Sequence, residues 1–126
     1  MQYTFKPHQK LLNSHDFKRV FDHVAIKAGT SELLVLAIDN YDEKPARLGL
    51  VVAKKNLKRA VDRNRFKRVV RESFRNHQHQ LQGLEFVVLS RRGAIELDSS
   101  ALKKVVDQTW RRILKKRTAK LETKKA

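Results

Sequence analysis

The sequence predicts a single α+β domain with helices packed on a β-sheet, and three observations predict it. Its 126 residues fall within the size of one domain, and a hydrophobic fraction of 40% suffices for one modest core. Apolar runs of strand length alternate with amphipathic stretches of helical period, in the order helix, strands, helix, strand, helix. Neither an internal repeat nor a stretch of linker composition divides the chain.

The elements follow in order. Asn13-Ser14 before Asp16-Phe17 marks a helix start, with Ser14 able to cap the first amides. Phe17, Val20, Phe21 and Val24 then share one helical face. Val24 to Ala28 has room for a short strand before the punctuation Gly29-Thr30-Ser31. Leu33 to Ile38 is a buried strand, ended by the polar turn residues Asp39 to Pro45, and Leu48 to Val52 is the next. Two strands joined by so short a loop predict an antiparallel pair. A basic amphipathic helix from about Asp62 to His77 leads, past Gln82-Gly83, to the strand Phe86–Leu89 and its closing Arg91-Arg92-Gly93. Leu97-Asp98-Ser99-Ser100 offers caps for a last helix, whose apolar stripe is Leu102, Val105, Val106, Thr109, Trp110, Ile113 and Leu114. The stripe stops there, so Lys115 to Ala126 reads as frayed, with a domain over 1–116 and a basic, flexible tail over 117–126.

Charge narrows the function. Twenty-nine Lys and Arg oppose 13 Asp and Glu, a net charge of +16, and so much self-repulsion points to a polyanionic partner. The absence of cysteine removes disulfides, thiolate zinc sites and Cys nucleophiles. No apolar run approaches the roughly 18 residues of a membrane span, and the first residues hold no signal-type apolar segment. A soluble protein of the reducing cytoplasm is the expectation.

The charge is concentrated. Between Lys54 and Arg75 ten basic residues face only Asp62 and Glu72. On a helical wheel at about 100° per residue, Phe66, Val69, Val70, Ser73, Phe74 and His77 form a core-facing stripe. Asn64, Arg68, Arg71 and Arg75 fall on the opposite side, flanked by Arg65 and Lys67. A solvated helix face would pair such cations with Glu at matching positions, and this one does not. An unpaired row of planar guanidinium forks suits a phosphate backbone, and the open amides of the first helical turn add to the attraction for anions.

At this point the residues resemble a known family. Ala53-Lys54-Lys55-Asn56, followed by Asp62-Arg63-Asn64-Arg65-Phe66-Lys67-Arg68-Val69-Val70-Arg71-Glu72-Ser73-Phe74, resembles the signature of the bacterial ribonuclease P protein. Leu11, Leu12, Phe17, Val20 and Phe21 resemble that family's first helix, and Arg47 to Val52 the strand before the signature. Phe86 to Gly93 resembles the last strand and Trp110-Arg111-Arg112 the last helix; Lys10 departs from the pattern, where the family carries Arg. The resemblance implies an αβββαβα sandwich with a four-stranded mixed sheet and a left-handed crossover around the basic helix, against the general right-handed rule.

It further implies a protein that assists catalysis without performing it. Ribonuclease P removes the 5′ leader of precursor tRNA by magnesium-dependent hydrolysis, with the catalytic groups in its RNA subunit. Lys58, Arg59, Arg63, Asn64, Arg65, Lys67, Arg68, Arg71 and Arg75 would bind that catalytic RNA. Phe17, Phe21, Val52, Lys54 and Lys55 would hold the precursor-tRNA leader in a cleft beside the first helix. No cofactor or metal is expected on the protein itself, Mg²⁺ being required by the RNA-based site. The expected partners are the catalytic RNA, with one protein copy per RNA, and precursor tRNA, without a membrane.

Other readings stay beside this one. Phe17 and Phe21 fit equally the core side of a short helix, and Trp110 is most simply core. His8, His15, His23, His77 and His79 lack metal-ligand spacing, and Asp42-Glu43 reads as a turn. A structural RNA-binding protein of ribosomal type shares the charge and topology. A DNA-binding helix is disfavoured by a row with a single base-reading Asn, and a protein nuclease by the lack of a carboxylate cluster for magnesium.

Overall fold

The structure is a computed structural model that describes residues 14–125. Its elements are α1 (Ser14–Asp22), β1 (Ile26–Gly29), β2 (Leu33–Asp39), β3 (Arg47–Val51), α2 (Ala60–His77), β4 (Leu84–Ser90) and α3 (Ser99–Lys125), with short 3₁₀ turns at Gln78–Leu81 and Arg92–Glu96. The predicted α+β order holds throughout. Lys10, Leu11, Leu12 and His8 lie outside the described residues.

The sheet order is β1-β2-β4-β3, with β1–β2 and β2–β4 antiparallel and β3–β4 parallel. This corrects the expectation that β2 and β3 pair with each other. β4 inserts between them because it is apolar on both faces and buried along nearly its whole length, so it must be a central strand with a neighbour on each edge. The short β3 takes the outer edge, and α2 is the crossover that its parallel pairing with β4 requires. The β2–β3 connection instead spans the start of β4, held by Asn40 N–H to Gly83 O (2.8 Å) and Gly83 N–H to Lys44 O (2.9 Å). Gly83 has φ +85°, and a Cβ there would sit 2.4 Å from Asp42 O, so both conformation and space demand glycine.

Strand alternation divides the apolar residues between two faces. Val35, Ala37, Leu48, Phe86 and Val88 join α2 and α3 in the main core, through Phe66, Val70, Phe74, Leu102, Val106, Trp110 and Ile113. Phe74, Phe86 and Trp110 meet edge to face with centroids 5.3–6.3 Å apart, worth about 0.5–1.5 kcal/mol per pair beyond burial. Among the described residues the opposite face is covered by α1: Val20 packs on Leu36, Ile38 and Val87, with Phe17, Leu34, Val51 and Leu89 partly buried around them. Trp110 is wholly buried, as its place in the stripe predicts.

α3 starts where expected, with Asp98 Oδ1 accepting from Ala101 N–H at 2.8 Å as its cap. It does not stop at Lys116. The helix continues to Lys125, and Arg117, one turn beyond the apolar stripe, places its guanidinium on the Asp39 carboxylate at 2.8 and 3.2 Å. A boundary at 116 therefore falls inside the helix; the apolar pattern ends there because its next inward position is filled by a paired ion.

Candidate nucleic-acid interface

α2 separates anchor from display. Phe66, Val69, Val70, Ser73 and Phe74 are its buried residues, as the wheel predicts. Asn64, Arg68 and Arg71 are exposed, Lys67 and Arg75 half-exposed, and among the described residues none of these side chains has a hydrogen bond or ion pair. Five donor groups with no partner among the described residues leave their bonding capacity to solvent or a ligand.

Arg63 and Arg65 behave differently from the rest of the basic set. Arg63 Nη1 donates to the carbonyls of Leu57 (2.9 Å) and Lys58 (2.8 Å), bracing the turn that enters α2. Arg65 donates to the carbonyls of Leu97 (2.5 Å) and Ala94 (3.3 Å), tying α2 to the segment before α3. The sequence pattern groups these arginines with Arg68 and Arg71; the structure divides them between bracing and display. Spacing alone did not reveal this, because their acceptors are backbone carbonyls, one pair of them about thirty residues away in the chain.

The turn from β3 to α2 is pinned by Leu57, which is buried in the main core, and by Leu57 N–H to Ala53 O at 3.1 Å. Lys54, Lys55, Lys58 and Arg59 are consequently forced outward and are all exposed. Arg59 stands at the N-cap of α2 without a side-chain cap. A hollow of about 440 Å³ lies here, lined by Lys55, Asn56, Lys58, Arg59, Asp62, Arg92 and Ile95. Lys55 thus shares a hollow with the cations at the start of α2. Arg92 and Ile95 were missed, since only the fold brings the segment after β4 to this turn.

On the opposite face, α1 covers the sheet incompletely. Phe17 is half-buried against the small cluster, whereas Phe21 is 43% exposed. Of the two rings, only Phe17 is packed with the cluster. Val52 packs with the main core, so it does not line this face; Val51 does, beside Leu34 and Leu89. One step along a strand changes its face.

A buried carboxylate fixes α1 over the sheet. Glu85, with a side chain only 3% exposed, accepts from Arg19 of α1, from Asn40 Nδ2 (2.7 Å) and from Arg47 Nη1 (3.3 Å). Arg47 Nη2 reaches back to Asp16 at 3.1 Å. Two arginines and an amide around one carboxylate satisfy a charge that burial would otherwise make costly. Sequence reading passed over Glu85 because it sits in an apolar strand.

No group of three or more His, Cys, Asp or Glu among the described residues could hold a metal ion, and no described helix is long and apolar enough to cross a membrane.

A family model described as Ribonuclease P matches residues 5–114. The chain is 49% identical over 114 residues to a ribonuclease P protein component from Saccharophagus degradans, covering 90% of this chain and 84% of that protein. Among solved structures it is similar to an RNase P protein from Thermotoga maritima, with 29% identity, a TM-score of 0.66, and 81% of this chain and 96% of that one covered. It is also similar to one from Staphylococcus aureus at 22% identity and a TM-score of 0.74, covering 88% and 93%, a likeness of fold.

Proposed function

The chain belongs to the ribonuclease P protein family, which makes it a protein subunit of a tRNA-processing endoribonuclease with an RNA partner, and we propose that it uses opposite faces for two RNAs. α2 binds the RNA subunit, and the open face beside α1 holds the 5′ leader of precursor tRNA. The observation that carries this reading is the separation of the two surfaces: the unpaired Asn64, Arg68 and Arg71 lie on the layer outside one side of the sheet, and the half-covered apolar face with Phe21 lies on the other.

The chemistry of each face fits its RNA. Guanidinium forks without aromatic neighbours grip phosphates whatever the sequence. The exposed ring of Phe21 on α1, the partly buried aliphatic residues Leu34, Val51 and Leu89 of the face that α1 covers, and Lys54 in the turn after β3 offer a single strand stacking and charge without dependence on base identity. Arg63 and Arg65 contribute chiefly by holding the ends of the α2 surface in place.

In this reading leader removal is hydrolysis with magnesium bound at the RNA subunit, and the protein acts by holding the two RNAs. One copy of this protein serves one RNA, adding to the bound state the free energy of leader contacts, which leaderless product cannot make.

Reconstitution tests this. Purified protein, a bacterial ribonuclease P RNA and precursor tRNA are combined at a magnesium concentration too low for the RNA alone. The expected result is restored cleavage at the mature 5′ end; cleavage no better than with the RNA alone would refute the assignment.

A further inference from the structure

α3 sorts its cations as α2 does. Arg112 Nη1 donates to Gly29 O (3.1 Å) and Lys116 Nζ to Lys27 O (2.5 Å), closing the helix over the edge strand β1. Arg117 is held by Asp39, and Lys103 by Asp107 at 2.8 Å. Lys104, Arg111 and Lys115 are left exposed, and no hydrogen bond or ion pair engages their side chains among the described residues.

At about 100° per residue these three fall within about 40° of one another, in a row about 16 Å long. Asp107 is the sole acidic residue of α3 between Ser99 and Lys120, and it is turned into the seam with α2, where Ser73 Oγ donates to it. Between Lys104 and Lys115 the row therefore meets no acidic residue but the engaged Asp107, and the next on its line is Glu122, two turns beyond Lys115. α2 and α3 lie side by side on the same face of the sheet, so their outer sides form one surface, away from α1.

We propose that Lys104, Arg111 and Lys115 form a second phosphate-binding row that grips a double-helical segment of the RNA subunit, extending the contact made by α2. The inference rests on the reading of α2 given above. A duplex is the fitting form of RNA because the row's own neighbours are Gln108 and Thr118, with no ring or flat apolar group to stack on an unpaired base. The same lack of apolar side chains unfits it for a membrane surface. Its side of the sheet assigns it to the RNA subunit and not to the leader.

The test compares the salt dependence of binding between the full chain and the RNA subunit in four proteins. They are the wild type, a Lys104→Gln/Arg111→Gln/Lys115→Gln variant, a Lys104→Arg/Lys115→Arg variant and an Arg68→Ala/Arg71→Ala variant. At about 0.7–0.9 per phosphate contact, the triple Gln variant should lower the slope of log K against log salt by about 2–3. Between about 50 and 200 mM salt it should then lose about 20- to 40-fold less affinity than the wild type. The arginine variant should keep the wild-type slope, and all four should keep the same ratio of affinities for precursor and leaderless tRNA in the holoenzyme.

An unchanged slope in the triple variant, with a reduced one in the Arg68/Arg71 variant, would overturn the proposal while leaving the α2 reading intact. So would a loss confined to leader discrimination, or an arginine variant as impaired as the glutamine one. If neither the triple nor the α2 variant moves the slope, the reading of α2 fails and takes this inference with it.

Discussion

Trp110 Nε1 donates a hydrogen bond of 2.8 Å to Ser73 Oγ in the seam between α2 and α3, and both residues are fully buried. The Ser73 hydroxyl in turn donates a hydrogen bond of 2.5 Å to Asp107 Oδ1, so one small side chain satisfies two partners. The display helix is thereby locked to the helix behind it. Ser73→Ala leaves the indole N–H in an apolar pocket without an acceptor, at a cost of about 1–3 kcal/mol. The expected result is a lower denaturation midpoint at unchanged m-value, with the salt slope of RNA binding by folded protein preserved. A variant as stable as the wild type would show that the seam does not depend on this chain of bonds.

Acid should act on the same seam. Burial pushes the Asp107 carboxyl up, but hydrogen bonds from Lys103 and Ser73, with the charges of Lys103 and His77, outweigh it and hold the group below its ordinary value. A carboxylate whose pKa is lowered by folding adds stability above its unfolded pKa and loses it as pH falls through the folded one. Stability should therefore decline below about pH 4, and Asp107→Asn should flatten that acid limb while lowering stability at neutral pH. An acid limb identical in the two proteins would remove Asp107 from the account.

Arg65 and Arg68 are three positions apart on one helix, and their substitutions should separate stability from binding. Arg65→Ala frees the carbonyls of Ala94 and Leu97, so it should lower the midpoint by the equivalent of about 1–3 kcal/mol. Arg68→Ala with Arg71→Ala removes only unpaired surface groups and should change stability by less than about 0.5 kcal/mol. The second variant should instead weaken RNA-subunit binding and reduce its salt slope by about 0.7–0.9 per lost contact. Reversed outcomes would mean that Arg65 is the displayed cation.

The contrast between these arginines also marks how far the sequence was legible. The order of elements, the buried side of α2 and the burial of Trp110 follow from local period, because one helix or strand sets them by its own geometry. The neighbour of β2 did not follow, because it depends on β4, a strand more than forty residues away that needs partners on both edges. Glu85 and Arg117 escaped for a related reason: each is an ion in a position that reads as apolar or as tail, made tolerable by a partner distant in sequence. Within the basic segment, composition could count the cations but not their acceptors. The division of labour between Arg63 or Arg65 and Arg68 or Arg71 exists only once the chain is folded.

Phe17 and Phe21 test the second face. Both lie on α1 at helical spacing, but Phe17 leans on the cluster of Leu36, Ile38 and Val87 while Phe21 is 43% exposed. Phe17→Ala should accordingly reduce stability, by less than the about 3–5 kcal/mol of a fully buried Phe. Phe21→Leu keeps an apolar side chain and removes the ring, so its midpoint should stay near the wild type. If the ring stacks on a leader base, its loss should cost about 1–3 kcal/mol for precursor tRNA alone, a drop of roughly 5- to 150-fold in the preference over leaderless tRNA. RNA-subunit binding should be unaffected, since α1 lies across the sheet from α2. Holoenzyme affinities for the two tRNAs, measured in parallel with each variant, decide the matter. Equal losses for precursor and leaderless tRNA would place the leader elsewhere and leave Phe21 as exposed surface.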